Sequence, residues 1–321
     1  METENKPNQK LELWKTISPY QEGFLKVGDI HTIRYALYGN PNGKPVFFLH
    51  GGPGGGCNDE DARWFDPSKY LIVTHDQRGS GKSTPLAEIR ENTPDNLVND
   101  IESLRKHLNI QTPFSIFAGS WGTTLALLYA EAYPKNVSRM ILRGIFTCSY
   151  KEQDYFYSAT GAAKFSPEEW DNLIKRIPQG PDRIQERIHK LIENSNEEEK
   201  LKWCRTLAEY EYSFFNLSPD DLNKELANIG LVFPEMRINM YYQANHFFIE
   251  DEQIIKNINS IKDIPITIIH GNKDFICPPA SAKKLNEQLP NSTLILVPEA
   301  GHLSSDSKIQ QALLEAINLW V

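Results

Sequence analysis

The sequence predicts an α/β fold, with a mostly parallel central sheet covered by helices and interrupted by a helical insertion. Three observations carry this prediction. Short apolar runs rich in β-branched and aromatic residues alternate with helix-patterned segments over residues 45–145. From about 148 to 250 the runs vanish, and charged and aromatic segments with helical patterning take over. Strand-like runs then resume at IPITIIHG (264–271) and TLILVPEAGH (293–302).

Residues 23–38, GFLKVGDIHTIRYALY, alternate apolar and polar around a Gly-Asp turn, which predicts a β-hairpin. PVFFLH (45–50), YLIVTHD (70–76) and FSIFAGS (114–120) read as strands buried on both faces. TPDNLVNDIESLRKHL (93–108) opens with a Thr cap and a Pro and places Leu97, Ile101, Leu104 and Leu108 on one helical face. TLALLYAEAYP (124–134) predicts a helix stopped at Pro134, and VSRMILRGI (137–145) returns to strand. The insertion holds PEEWDNLIKRI, NSNEEEKLKWCRTLAEYEYSFF and MRINMYYQANHFF; the charge run in the second reads as a solvated helix face. The expected organisation is a core of residues 1–147 and 251–321 around a helical cap of residues 148–250.

With a formal charge of −8 the chain has no basic footprint, which argues against nucleic acid as a partner. METENKPNQK at the N-terminus lacks the apolar region of a secretory signal. No apolar run approaches the roughly 20 residues that span a bilayer. The four cysteines (Cys57, Cys148, Cys204, Cys277) are scattered and form no CxxC. A protein of a reducing cytoplasm, without membrane or metal, is the expectation.

The chemistry begins at AGSWG (118–122), between a strand and a helix. A nucleophile elbow reads G-x-S-x-G, with small residues where strand and helix approach closely. Ala118 replaces the first Gly, and the turn lifts Ser120 above the sheet. A serine hydroxyl needs a histidine to take its proton and a carboxylate to orient that histidine. Asp274 in IIHGNKDFICP and His302 in LVPEAGHLSSD each follow a strand end, in the order Ser, Asp, His of the α/β-hydrolases. His31, His107 and His189 have no acid at a nearby strand end. His50, His75 and His270 end strands and are expected to make structural hydrogen bonds. No histidine pair has metal-ligand spacing.

FFLHGGPGGGC (47–57) could cradle a phosphate or hold N–H groups around an oxyanion. A Walker loop needs GxxxxGK[ST], and this loop has no such Lys. DQRGSGKST (76–84) contains GKS, but its required first Gly falls on Asp76. Pro53 and the Cys57-Asn58-Asp59 sequence argue against a dinucleotide turn. The loop is therefore assigned to an oxyanion, with backbone donors at Gly52 (or Gly51) and Trp121.

On YGNPNGKPVFFLHGGPGGG, DQRGSGKSTP, AGSWGTTLALLYAEAYP, LRGIF, HGNKDFICP and AGH, the chain resembles the proline iminopeptidases, serine α/β-hydrolases. The resemblance implies an α/β-hydrolase fold with an inserted helical cap. It also implies a cytosolic, cofactor-free enzyme that removes N-terminal proline from small peptides. A cationic prolyl amine calls for carboxylates, and the ring for apolar walls. The family's first Glu falls on Glu211 in EYEYSFF, with Tyr210 in place of a tryptophan. Its second falls on Ala244 in QANHFF, a departure that leaves Glu209 as the alternative carboxylate. The ring walls fall on Phe146, on Phe156 or Tyr157, and on Phe248. Because of Ala244, an esterase or amidase of the same fold acting on another small substrate is the second reading.

Overall fold

The computed structural model describes residues 11–320. The N-terminal METENKPNQK lies outside the described residues. Eight strands form one sheet: β1 (Gln21–Val27), β2 (His31–Gly39), β3 (Lys44–Leu49), β4 (Tyr70–His75), β5 (Phe114–Gly119), β6 (Val137–Arg143), β7 (Ile266–Gly271) and β8 (Ser292–Val297). Their order is β1-β2-β4-β3-β5-β6-β7-β8. The expected hairpin is β1–β2, in register Val27 to His31, with Gly28 at φ +61° in the turn. β2 also runs antiparallel to β4, and every pair from β4–β3 to β7–β8 is parallel.

Side chains alternate across the sheet, so one strand feeds two cores. On β5, Phe114, Ile116 and Ala118 join a cluster with Phe47, Trp121 and Tyr129, while Phe117 joins Tyr38, Phe65 and Trp320 on the other face. The first cluster is covered by α1 (Pro94–His107) and α2 (Trp121–Ala132). Leu97, Ile101 and Leu104 of α1 are buried, Leu108 sits at its C-cap, and the Thr93 hydroxyl makes no capping bond. α2 begins at Trp121, three residues before the expected start, because the elbow turn is already closed by Thr123 N–H donating to Ser120 O at 2.7 Å. It ends before Tyr133, which the following proline pushes out of helical geometry.

Between β6 and β7 the chain is helical: α3 (Tyr150–Phe156), α4 (Pro167–Ile174), α5 (Ile184–Asn194), α6 (Glu197–Tyr212), α7 (Pro219–Ala227), α8 (Ile229–Ala244) and α9 (Gln253–Asn257). This segment has its own apolar cluster, including Leu173, Ile188, Leu207, Met236 and Met240. The charge run is solvated: Glu197, Glu198 and Glu199 pair along α6 with Lys200 and Lys202 at 2.8–3.0 Å. After β7, α10 (Pro279–Gln288) and α11 (Ser307–Asn318) complete the layers. Among the described residues, no helix is long and apolar enough to cross a membrane. The carboxyl ends of β3, β5, β7 and β8 all point to one edge, where open parallel sheets bind ligands.

Candidate active site

Ser120 follows the last residue of β5 and caps α2 with φ +54° and ψ −130°, a left-handed region that costs a side chain on the order of 1–3 kcal/mol. The neighbours must be small. A Cβ on Gly119 would stand 2.2 Å from an Arg143 guanidinium nitrogen, and one on Gly122 2.3 Å from the Leu49 carbonyl oxygen. Ala118 lies inside the strand, opposite Leu49 and Leu142, in extended geometry that does not need glycine.

Asp274 comes three residues after β7 and His302 five after β8. His302 Nδ1 donates to Asp274 Oδ2 at 2.6 Å. Asp274 Oδ1 accepts Ile276 N–H at 3.0 Å and Cys277 N–H at 2.9 Å, which fixes the carboxylate. Burial works to raise the Asp274 pKa, but the His302 charge and hydrogen bond, aided by His270, outweigh it and hold the group below its usual value. The Nδ1–H bond leaves His302 Nε2 as the basic nitrogen. Ser120 and His302 line the same cavity, and no hydrogen bond joins them; such contacts often tighten only with substrate. Arg143 Nη1 donates to the His302 carbonyl at 2.7 Å and pins the loop that carries the imidazole.

Gly51, Gly52 and Gly55 line that cavity beside Ser120. The His50 ring ties Nδ1 to the Gly51 carbonyl at 2.8 Å and accepts Gln77 N–H on Nε2 at 2.9 Å. The Gly52 N–H, in the same trans peptide plane as that carbonyl, therefore points away from His50. Trp121 Nε1–H donates to Gln77 Oε1 at 2.9 Å, so one glutamine braces both the glycine loop and the elbow. The Walker-like DQRGSGKST serves the same scaffold. Asp76 accepts Cys57 N–H at 2.7 Å and Lys82 N–H at 2.9 Å, and Arg78 clamps Asp100 at 2.7 and 2.8 Å.

The cavity, of about 260 Å³, is walled by Phe146, Phe156, Phe215 and Phe247. Glu211 faces it from α6 and accepts Tyr157 O–H, and Asn239 Nδ2 donates to its Oε1 and Oε2 at 2.9 and 3.0 Å. Tyr157 is buried behind Glu211 and acts on the cavity through it.

Two residues expected in the pocket, the alternative carboxylate Glu209 and the ring wall Phe248, do not line this cavity. Glu209 is two positions from Glu211, about 200° around the helix, so its carboxylate points outward to Arg205 at 3.3 Å. Phe248 is 40% exposed and packs on Tyr241 and Tyr242. His246, Phe247 and Phe248 all have φ between +50° and +56°, a left-handed turn that sends Phe247 inward instead.

The residue that sequence reasoning missed is Glu235 on α8. It faces the cavity, accepts Tyr212 O–H at 2.6 Å, and has its pKa raised, chiefly by burial. A Cβ on Gly54 would lie 2.7 Å from the Glu235 Cα, so the glycine loop packs directly on α8. A lone acid within the otherwise apolar IGLVFPEM was the available signal. Glu152 also lines the cavity, but Thr147 and Ser149 donors occupy its oxygens.

Of the remaining histidines, His50 and His270 make the structural bonds expected of them. His270 bonds Cys277 O at 2.7 Å, accepts Ile145 N–H at 3.1 Å, and stands 3.5 Å from Asp274. His75 differs. Its Nδ1 has no partner, and burial, then His50, lowers its pKa to about 3.

The alpha/beta hydrolase fold family matches residues 44–308. A probable proline iminopeptidase of Leptolyngbya boryana is 42% identical over 313 residues, covering 97% of each chain. The proline iminopeptidase of Arabidopsis thaliana is 39% identical, covering 96% of this chain and 81% of its own; that of Xanthomonas citri is also 39% identical, covering 95% and 97%. Among solved structures, an esterase from Exiguobacterium antarcticum superposes with a TM-score of 0.65 at 22% identity, over 92% of this chain and 98% of its own, and speaks to the fold alone. With relatives this similar along its whole length, the chain belongs to the proline iminopeptidase family of α/β-hydrolases.

Proposed function

We propose that the protein is a serine aminopeptidase that releases N-terminal proline from small peptides through an acyl-enzyme on Ser120. The observation that carries this reading is the pair Glu211 and Glu235, two carboxylates facing the same cavity as Ser120. A protonated prolyl nitrogen has two N–H donors and one charge, and two carboxylates match it with charge-assisted hydrogen bonds. Glu235 takes the part that the family resemblance left vacant at Ala244. The phenyl walls of Phe146, Phe156 and Phe247 suit the pyrrolidine ring.

In this reading His302 Nε2 takes the Ser120 proton as Oγ attacks the prolyl carbonyl, and Asp274 orients the imidazole. The N–H groups of Trp121 and Gly52 (Gly51 being the alternative) stabilise the tetrahedral oxyanion. The peptide C–N bond breaks, His302 returns the proton to the leaving amine, and water deprotonated by the same imidazole releases proline. Residues 148–250 act as the cap that brings the amine site over the nucleophile. Anchoring the terminal nitrogen leaves room for one residue before the scissile bond. Four free thiols, three of them buried, fit a reducing compartment, so a cytoplasmic location belongs to this reading.

The test compares proline anilide, N-acetyl-proline anilide, alanine anilide and a simple acyl ester. Fast cleavage of the free prolyl compound alone is expected. Glu235→Gln should raise KM for proline anilide roughly 10- to 100-fold, the worth of one charged hydrogen bond, and leave the ester within about threefold. Preference for the acetylated compound or the ester would favour the second reading, a drifted esterase or amidase.

A further inference from the structure

We propose that a second cavity, opening beside the prolyl pocket, receives the side chain of the residue after proline and selects aromatic and large aliphatic groups there. This rests on the aminopeptidase reading above and names its substrates more closely.

Three features point to it. The first is continuity: the cavity, of about 530 Å³, shares Phe215, His302 and Leu303 with the prolyl pocket. The imidazole that hands a proton to the leaving amine must face the departing half of the peptide. A hollow walled by that same imidazole is where the departing residue lies.

The second feature is wall chemistry. Phe165 stacks on Phe275 with ring centroids 3.9 Å apart and planes 16° off parallel, yet Phe165 stays 54% exposed. An aromatic pair left open at the mouth of a catalytic cleft offers a face for another apolar group. Phe275 follows Asp274 directly, in the turn held by the Ile276 and Cys277 N–H bonds, so the platform is tied to the triad.

The third feature is that the ionised side chains of the lining are already engaged by groups of the protein itself. Lys273 is paired with Glu299, and Asp306 caps α11 by accepting Lys308 N–H at 2.9 Å.

The experiment measures kcat/KM for Pro-Phe-amide, Pro-Leu-amide and Pro-Gly-amide, each divided by the value for prolinamide. Prolinamide has no residue beyond the scissile bond. The unmodified protein should favour Phe and Leu over Gly by tenfold or more. In Phe165→Ala and Phe275→Ala that ratio should fall below about threefold. Phe165 is remote in sequence from the triad, so its variant separates subsite loss from damage to the Asp274 turn. A ratio near one in the unmodified protein, or a ratio unmoved in both variants, overturns the proposal. No turnover of prolinamide would sink the aminopeptidase reading itself. Turnover of prolinamide without side-chain preference sinks only the subsite.

Discussion

A carboxyl group taken out of bulk water holds its proton more tightly unless a cation stands beside it, and in the free protein Glu211 meets that condition; a bound prolyl ammonium restores its charge. Burial above all, with the Glu235 charge in addition, lifts its pKa to about 8 against the pull of Tyr157 and Asn239. Unfolded, the same group titrates near 4.5. Between those values the folded chain holds a proton that the unfolded chain has released. The contribution to stability is therefore fully present below about pH 4.5, and it declines until about pH 8. Glu211→Gln removes this titration, so its melting temperature should fall less steeply than the parent's from pH 5 to 8.5. Parallel slopes would mean that Glu211 does not titrate there. Single residues also show how far sequence reaches. Glu211 could be picked out by resemblance, but its partner at Glu235 could not, because the pairing joins α6 to α8 and depends on how two helices meet. Phe247 and Phe248 are indistinguishable as letters, and only the left-handed turn at 246–248 decides which ring faces the cavity.

At the scale of elements, the elbow is a local structure written in local residues. A strand must turn into a helix within one residue, so the chain needs Ser120 at positive φ and glycines where backbones touch. The strand–turn–helix was legible for that reason. The exact start of α2 was not, since the turn's own hydrogen bond recruits Trp121, Gly122 and Thr123 into the helix. Gly122→Ala tests the contact. Its Cβ would sit 2.3 Å from the Leu49 carbonyl, a backbone atom that cannot swing aside. A loss of about 1–3 kcal/mol in denaturant unfolding is expected. Turnover should fall for prolyl and ester substrates alike, because α2 carries Trp121, whose N–H is the proposed oxyanion donor. Unchanged stability would show that β3 and α2 are less tightly opposed.

Across the whole molecule, the proposed mechanism draws selectivity and chemistry from different layers. The sheet edge supplies Ser120, Asp274 and His302, while α6 and α8 supply Glu211 and Glu235. Leu207 is fully buried in the helical cluster, one turn before Glu211. Leu207→Ala should cost about 2–5 kcal/mol. At a temperature where the variant stays folded, kcat/KM for proline anilide should drop more than for an acyl ester, which needs only the sheet-edge residues. Equal losses would mean that the helical layer also positions the triad.

The layered fold, the elbow, the chain order of Ser120, Asp274 and His302, and the family are all legible in the residues alone. Those features rest on periodicity, turn chemistry and short motifs, all of which act over a few neighbouring residues. Long-range packing sets that Glu235 shares a cavity with Glu211, that Glu209 and Phe248 face away, and that a second aromatic hollow adjoins His302. Each of these depends on which faces of distant segments are pressed together, and a helix or turn fixes that only once its packing partner is in place.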